Sequence, residues 1–212
     1  MISPSTTRTP SLVVVGLGPR GIISIERLGA LLPGSGVECC ELHLVEEHEP
    51  GAGKVWATDQ HRELCMNTLA GAVTLFTDES YTGPGPILPG PTQHEWCVAV
   101  REHLAGGDWT LDAPLRDAVR TGGYEAELAQ TRPESHPSRA LYGEYLVWCY
   151  ERALNRLPSS VSVTVHDARA TGISDDEGRT VVTLSTGETL AADSVVLATG
   201  WLDVGPGPAD AA

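Results

Sequence analysis

The stretch Leu12-Val13-Val14-Val15-Gly16-Leu17-Gly18-Pro19-Arg20-Gly21 constrains the fold more tightly than any other part of this chain. A β-branched run empties into G-x-G-x-x-G, and Ile22, Ile25, Leu28 and Leu32 then recur at helical spacing. The pattern predicts strand, tight turn and helix. Gly16 permits the sharp turn, Gly18 lets main-chain amides approach a diphosphate, and Gly21 lets the helix sit close on the strand. Free amides and the dipole at the helix start favour a doubly negative group. Pro19 suits a first turn that has no use for its missing N–H, and Arg20 follows it there.

A second signal supports the first. Leu42-His43-Leu44-Val45-Glu46 reads as the next strand, with a carboxylate at its end. A dinucleotide fold places an acid at that point to accept hydrogen bonds from the adenosine ribose. Glu46 lies roughly 25 residues beyond Gly21, close to the ~20 expected, and Glu47 is its neighbouring alternative. The bland reading is an ordinary βα turn followed by a solvated strand end. Strand, glycines, helix, strand and acid in this order favour the nucleotide.

A net charge of −14 argues against nucleic acid, whose phosphates would be repelled. The 212 residues fit one domain with an elaborated loop region. Residues 1–10 are polar, are expected to be disordered, and carry no apolar core of a signal peptide. No apolar run approaches the ~20 residues that span a bilayer, so the expectation is a soluble cytoplasmic protein with no membrane partner. Five cysteines, odd in number and without C-x-x-C spacing, fit reduced thiols. Seven histidines lack ligand spacing, so no metal site is expected.

Gly51-Ala52-Gly53-Lys54 tempts a phosphate-loop reading, yet His48 and Val55 stand where that loop needs Gly and Ser or Thr. A glycine-rich turn after the ribose acid reads instead as a second close approach of main chain to cofactor, or as a plain surface turn. Residues 63–78, which include Met66 and Asn67, mix apolar, small and amide side chains without a clean period. They suit either the wall of a flavin site or a buried turn of core.

His94 to Leu104 predicts a helix with Cys97, Val100 and Leu104 inward; Val98 breaks the H-E-x-x-H zinc pattern. Residues 106–137 read as a loop insertion, a lid or a floppy excursion. Ser138 caps a helix running to about Leu157, with Leu141, Tyr145, Trp148 and Cys149 along one face. Val161 to Val165 alternates as a strand. The segment from His166 to Ile173 then passes the adenine edge, where main chain near Arg169-Ala170 is placed against the base. Thr180 to Leu190 forms a hairpin around Thr186-Gly187, and Asp193 to Gly200 is a buried strand whose small end approaches a ligand.

At this point the chain resembles the FAD/NAD(P)-binding flavoproteins of the two-dinucleotide-binding type. The resemblance rests on Gly16 to Gly21, on Glu46, and on Asp193-Ser194-Val195-Val196-Leu197-Ala198-Thr199-Gly200. The last is similar to the D-x-x-x-L-A-T-G-Y element of N-hydroxylating monooxygenases, with Trp201 where those carry Tyr. Residues 51–56, Met66-Asn67-Thr68 and 137–143 are similar to an actinobacterial branch of FAD/NAD(P)-binding proteins. The resemblance implies an α/β fold: a three-layer Rossmann-like FAD-binding domain over 11–206, with a parallel sheet and an antiparallel β-meander, then a tail over 207–212. It places Gly16, Gly18 and Gly21 on the FAD pyrophosphate and Glu46 on the ribose. Gly53, Trp56, Met66 and Asn67 go toward the ribityl chain and isoalloxazine, and Thr199 and Gly200 close over the cofactor.

The activity it implies is that of the FAD-binding component of a flavin-dependent oxidoreductase, a monooxygenase of specialised metabolism with a small-molecule substrate. NAD(P)H is the reductant, bound elsewhere, because the matching region ends before a nicotinamide domain. That departure implies half of a split enzyme, a fragment, or a chain that has lost catalysis, and it predicts a second protein subunit or a homo-oligomer. A non-catalytic nucleotide-binding or scaffolding subunit is the other reading. A short-chain dehydrogenase is excluded, since Leu146 and Cys149 stand where Y-x-x-x-K needs lysine after Tyr142 and Tyr145.

Overall fold

The computed structural model describes residues 8–200. The expectations for residues 1–7, Trp201 and the tail over 207–212 lie outside the described residues.

Alternation within the first strand sets up two cores. In β1 (Ser11–Val15) successive side chains point to opposite faces, and the buried Val13 and Val15 pack to one side while Val14 packs to the other. A strand buried on both faces reads as a near-continuous apolar run, as Leu12 to Val15 do here. β1 pairs in parallel with β2 (Cys40–Glu46) and with β7 (Ser194–Leu197), Val13 lying opposite both His43 and Val195. β2 pairs in parallel with β3 (Val161–Asp167), which completes a sheet of order β3-β2-β1-β7.

Helices α1 (Pro19–Leu31) and α5 (Arg139–Asn155) supply one covering layer. Ile22 and Ile25 meet Val14, Leu42, Leu44, Leu141, Tyr145 and Trp148 in the larger core. The other layer is a second, antiparallel sheet, β4 (Ala170–Asp176), β5 (Arg179–Leu184) and β6 (Thr189–Ala192). Its Val182, Leu184, Leu190 and Ala192 close on Val13, Val15 and Val45. The three-layer α/β architecture with its meander is the one expected from the sequence.

Asp193 fastens β7 to the start of β1. Its carboxylate accepts from the Ser11 N–H at 2.8 Å and the Ser11 hydroxyl at 3.1 Å and pairs with Arg8. The Ser11 N–H bond is the chief force holding this acid below its ordinary pKa.

Helix starts follow cap chemistry. Ser138 accepts from the Leu141 N–H at 3.1 Å, as predicted. At α2 (Gln93–Leu104) the Thr92 and Glu95 side chains each bond the other's main-chain N–H, a capping box. Trp96 is buried there beside Cys97 and Val100.

Two expectations are corrected, and a third meets a competing use of its main chain. Residues 106–137 are not a bare loop but carry α3 (Asp117–Thr121) and α4 (Glu125–Gln130). Val119, Tyr124 and Leu128 are buried in the larger core with Ala113, whose carbonyl accepts from both the Trp109 and Trp148 indoles, at 2.7 and 3.1 Å. Helices this short show no period, which hid them. α5 is buried on nearly every side and not along one stripe, because the 49–58 and 106–137 segments cover the flanks that the sheet does not. Finally, main chain beyond β3 is committed to the meander. The Arg169 N–H donates to the Ser185 hydroxyl at 3.1 Å and its carbonyl accepts from the Ser185 N–H at 2.8 Å, while Ala170 opens β4 opposite Leu184. An adenine contact at Arg169-Ala170 therefore finds the Arg169 main chain already engaged.

Candidate cofactor site

The glycine corner stands at the carboxyl edge of the parallel sheet, and each glycine answers a different demand. Gly16 has φ +92°, and a Cβ on it would sit 2.5 Å from the Ala198 carbonyl oxygen. The end of β7 thus passes directly over the turn, held by the Ala198 N–H to the Val15 carbonyl at 2.8 Å. A Cβ on Gly21 would sit 2.1 Å from the Gly16 oxygen, so Gly21 packs the helix onto the turn itself. Gly18 is different: its φ of −71° is open to any residue, and among the described residues no atom beyond its chain neighbours lies within 4 Å of where its Cβ would be. Nothing among the described residues requires glycine there.

Gly18 is also the N-cap of α1, which has Pro19 in its first turn, no side-chain cap and no acid. The first-turn amides of a helix have no intrahelical acceptor. Free space in front of uncapped amides is a cradle that an anionic ligand would fill and a side chain would obstruct. The exposed Arg20 follows in the same turn.

Glu46 turns its carboxylate into this corner. One oxygen accepts from the Leu17 N–H at 2.8 Å, the other from the Glu47 and His48 N–H groups at 3.1 Å each. It therefore braces the glycine turn, while its remaining lone pairs can still accept from a ligand hydroxyl. Glu47 is exposed and faces the Arg169 guanidinium at 4.0 Å.

The glycine-rich loop after β2 joins the same edge through the Gly51 N–H, which donates to the Leu17 carbonyl at 2.9 Å. Gly51 has φ +97° and packs on α5, where its Cβ would lie 2.7 Å from Val147 Cα; Gly53, at φ +56°, faces open space. Trp56 sets its ring edge-on to Tyr142 at 4.8 Å, with the Arg139 guanidinium 5.8 Å from its centroid.

Met66 and Asn67 come in beside the start of α5. The buried Met66 bonds through its N–H to the Pro137 carbonyl at 2.8 Å, Arg139 bonds to the Leu64 carbonyl at 2.7 Å, and Asn67 is exposed. Thr199 and Gly200 are exposed just past Ala198. The structure thus gathers Gly16, Gly18, Pro19, Arg20, Gly21, Glu46, Thr199 and Gly200 at one edge, with Gly53 on the loop that joins it through Gly51. Ala170 belongs to the meander.

Sequence reasoning missed the ion pairs behind this edge. Arg116 lies 2.6 Å from Glu49 and 3.2 Å from Glu144, and burial pushes the Glu144 carboxyl above its ordinary range although Arg116 pulls it down. Glu49, two residues before Gly51, carried the only available hint. Among the described residues there is no group of three or more His, Cys, Asp or Glu placed to hold a metal, and no helix long and apolar enough to cross a membrane.

A family model described as FAD-NAD(P)-binding matches residues 13–202, which takes in every element above except the first residues of β1. The chain belongs to the FAD-NAD(P)-binding family. FAD and NAD(P)H are the cofactors that this membership brings, and an uncapped, unobstructed helix start fits the diphosphate of either.

Three relatives within the wider similarity are named for one reaction. The L-aspartate N-monooxygenase (nitrosuccinate-forming) of Streptomyces davaonensis is 39% identical over 95% of this chain and 31% of its own length. The nitrosuccinic acid synthase of Aspergillus oryzae is 38% identical over 94% of this chain and 27% of its own. The corresponding L-aspartate N-monooxygenase of Streptomyces cremeus is 37% identical over 92% and 29%. The chain therefore spans about three-tenths of the length of these relatives.

Proposed function

We propose that this chain is the FAD-binding portion of a flavin-dependent N-monooxygenase acting on a small amino acid of the L-aspartate class. The observation that carries the cofactor part is the contrast at the corner. Gly16 and Gly21 are glycine because protein atoms press on them, whereas Gly18 is glycine beside empty space at an uncapped helix start. The substrate class is supported by the three relatives, each named for nitrosuccinate or its formation from aspartate.

In this reading the first-turn amides of α1, after Gly18 and Pro19, bind the FAD pyrophosphate, with Arg20 adding positive charge at the rim. Glu46 accepts from the ribose hydroxyls and, through Leu17, keeps the turn in shape; Glu47 stands at the outer rim. Gly53, Trp56, Met66 and Asn67 flank the ribityl and isoalloxazine end, and Thr199 and Gly200 lie over the cofactor from β7. When bound, the flavin supplies the redox chemistry, taking hydride from NAD(P)H and activating oxygen. The protein's own part is to bind, orient and shield. Turnover is proposed for an enzyme of the relatives' full extent, whether the nicotinamide- and substrate-binding parts come from the same chain, another subunit or a second copy.

The test is Gly18→Val. Its backbone angle suits valine and its Cβ meets nothing, so the thermal midpoint should stay near that of the parent. FAD affinity, followed by quenching of flavin fluorescence, should fall by about a hundredfold or more, equivalent to ~2.7 kcal/mol. A parent protein that takes up no FAD, or a valine variant with parental affinity, would sink the assignment.

A further inference from the structure

We propose that Arg116 is the positioning residue of the cofactor loop: by gripping Glu49 and Glu144 together it fixes residues 49–58, which carry Gly53 and Trp56, against α5. This rests on the reading that the loop borders FAD.

The clamp is built from both ends of the loop. Arg116 Nη2 lies 2.6 Å from Glu49 Oε1, and the other oxygen of Glu49 accepts from the Thr58 hydroxyl at 2.8 Å. The Glu49 carbonyl accepts from the Gly53 N–H at 2.7 Å, and the Tyr124 hydroxyl donates to the Thr58 carbonyl at 3.3 Å. One residue, Glu49, thus ties the first position of the loop to its glycine and to its last position. Arg116 in turn ties Glu49 to the helix layer through Glu144 on α5, 3.2 Å from Nη1 and with a side chain only 3% exposed. The seat is ready for the loop: a Cβ on Gly143 would meet the Trp56 carbonyl oxygen at 2.0 Å, and a Cβ on Gly51 would strike Val147.

A planar, permanently charged fork is what two carboxylates on different elements require. Arg116 hydrogen-bonds Glu49 through one terminal nitrogen and ion-pairs with Glu144 through the other, while Lys offers a single point of charge. A simpler role is open to the same residue, namely to neutralise the buried Glu144. The two roles part when the buried acid is removed as well. Losing Arg116 alone leaves Glu144 buried and unpaired, which destabilises the fold. Replacing Glu144 by Gln removes that penalty but leaves Glu49 untethered.

Three readings on Arg116→Met, Arg116→Lys and the double variant Arg116→Met/Glu144→Gln decide between them. These are the thermal midpoint, amide exchange at Gly53 in the cofactor-free protein, and FAD affinity. The clamp predicts that Arg116→Met lowers the midpoint, speeds Gly53 exchange and weakens FAD about tenfold, ~1.4 kcal/mol, with partial recovery in Arg116→Lys. The double variant should regain the midpoint yet keep the fast Gly53 exchange and the weak FAD binding. Parental exchange and parental FAD affinity in the double variant would overturn the positioning role and leave only charge neutralisation. A Gly53 response in a parent that binds no FAD would instead overturn the cofactor reading and keep the clamp as a structural one.

Discussion

Two connections build the helix layer, and they hold their shape by different means. From β1 to β2, main-chain atoms press on one another: Gly16 against Ala198, Gly21 against Gly16, and Gly51 bonded to Leu17 across the turn. From β2 to β3, across the longer stretch that includes α2 to α5, main-chain contacts such as Gly143 on the Trp56 carbonyl are joined by side-chain fastenings. Arg116 bridges Glu49 and Glu144, Arg152 reaches Asp112 at 2.6 Å and the Pro89 carbonyl at 3.1 Å, and two indoles share the Ala113 carbonyl. A main-chain contact tolerates one residue type. A side-chain fastening spreads its load over several partners, and loss of any one leaves the others in place.

Gly16→Ala strikes the first connection and should produce the largest effect. The substitution combines strain at φ +92° with a Cβ 2.5 Å from the Ala198 oxygen, and strain of that kind alone costs about 1–3 kcal/mol. With the displacement of β7 added, the loss should exceed about 3 kcal/mol by urea denaturation, enough to leave a marginal domain partly unfolded. A parental midpoint would erase the distinction between the two connections, because the corner would then be as forgiving as the rest.

The same difference decides what could be read from the sequence. Gly16, Gly18, Gly21 and the small end of β7 were legible because only residues without bulk satisfy a main-chain approach, and such residues cluster in a recognisable order. Their separate roles were not legible, since the partner of Gly16 lies far along the chain at Ala198. Glu46 was found by its place at a strand end, but its bond to Leu17 N–H was not. Arg116 and Asp112 left no trace, as an arginine or aspartate in a polar stretch has no period and no spacing until the fold supplies the partner. α3 and α4 failed for a related reason: five or six residues are too few to show a helical repeat. β1 was the easiest strand, because burial on both faces forces a continuous apolar run, whereas the exposed, mixed sequence of β4 offered no such signal.

Glu26→Leu probes the seam where the two connections meet, and its effect should be smaller and of opposite sign. Glu26 on α1 has a side chain 4% exposed, and neither carboxylate oxygen has a hydrogen-bond partner among the described residues; Arg27 stands 3.7 Å away. Burial raises its pKa above 4.5, only partly opposed by Arg27, Arg152 and Arg156. An acid with a raised folded pKa gives up stability as pH climbs, because the unfolded chain ionises first. The penalty is absent below about pH 4.5 and complete above the folded pKa. Glu26 also borders a cavity of about 240 Å³ lined by Gly29, Ala30, Pro33, Leu88 and Ala153, which leaves room for leucine. The variant should therefore gain about 1 kcal/mol near pH 7, the cost of one unsatisfied buried group, and lose that advantage near pH 4. A destabilised leucine variant at pH 7 would show that Glu26 is fastened like the acids of the longer connection.

The smallest effect belongs to the seam between β2 and β3, where the longer connection closes. His43 Nδ1 lies 3.1 Å from His166 Nε2, and the other face of His166 meets Glu188 at 3.5 Å. One proton can bridge the two rings but two cannot share the space. Burial, and then the neighbouring His166, lower the His43 pKa from 6.5, against the pull of Glu41 and Glu188. For a histidine held neutral in the fold, stability is intact above the unfolded pKa. It is lost as pH falls from 6.5 through the folded value, where the unfolded chain takes up the proton first. The loss should be the smallest of the three effects, and His43→Gln should flatten it in denaturation curves taken between about pH 5 and pH 8. Amide exchange sharpens the point. Acidification should loosen the Ala168 N–H, bonded to Glu46 beyond the β2–β3 pair, before the Gly16 N–H, bonded to Val45 beyond the β1–β2 pair. Equal loosening of both would mean that the histidine pair destabilises the sheet as a whole, and that the side-chain seam is no softer than the glycine corner.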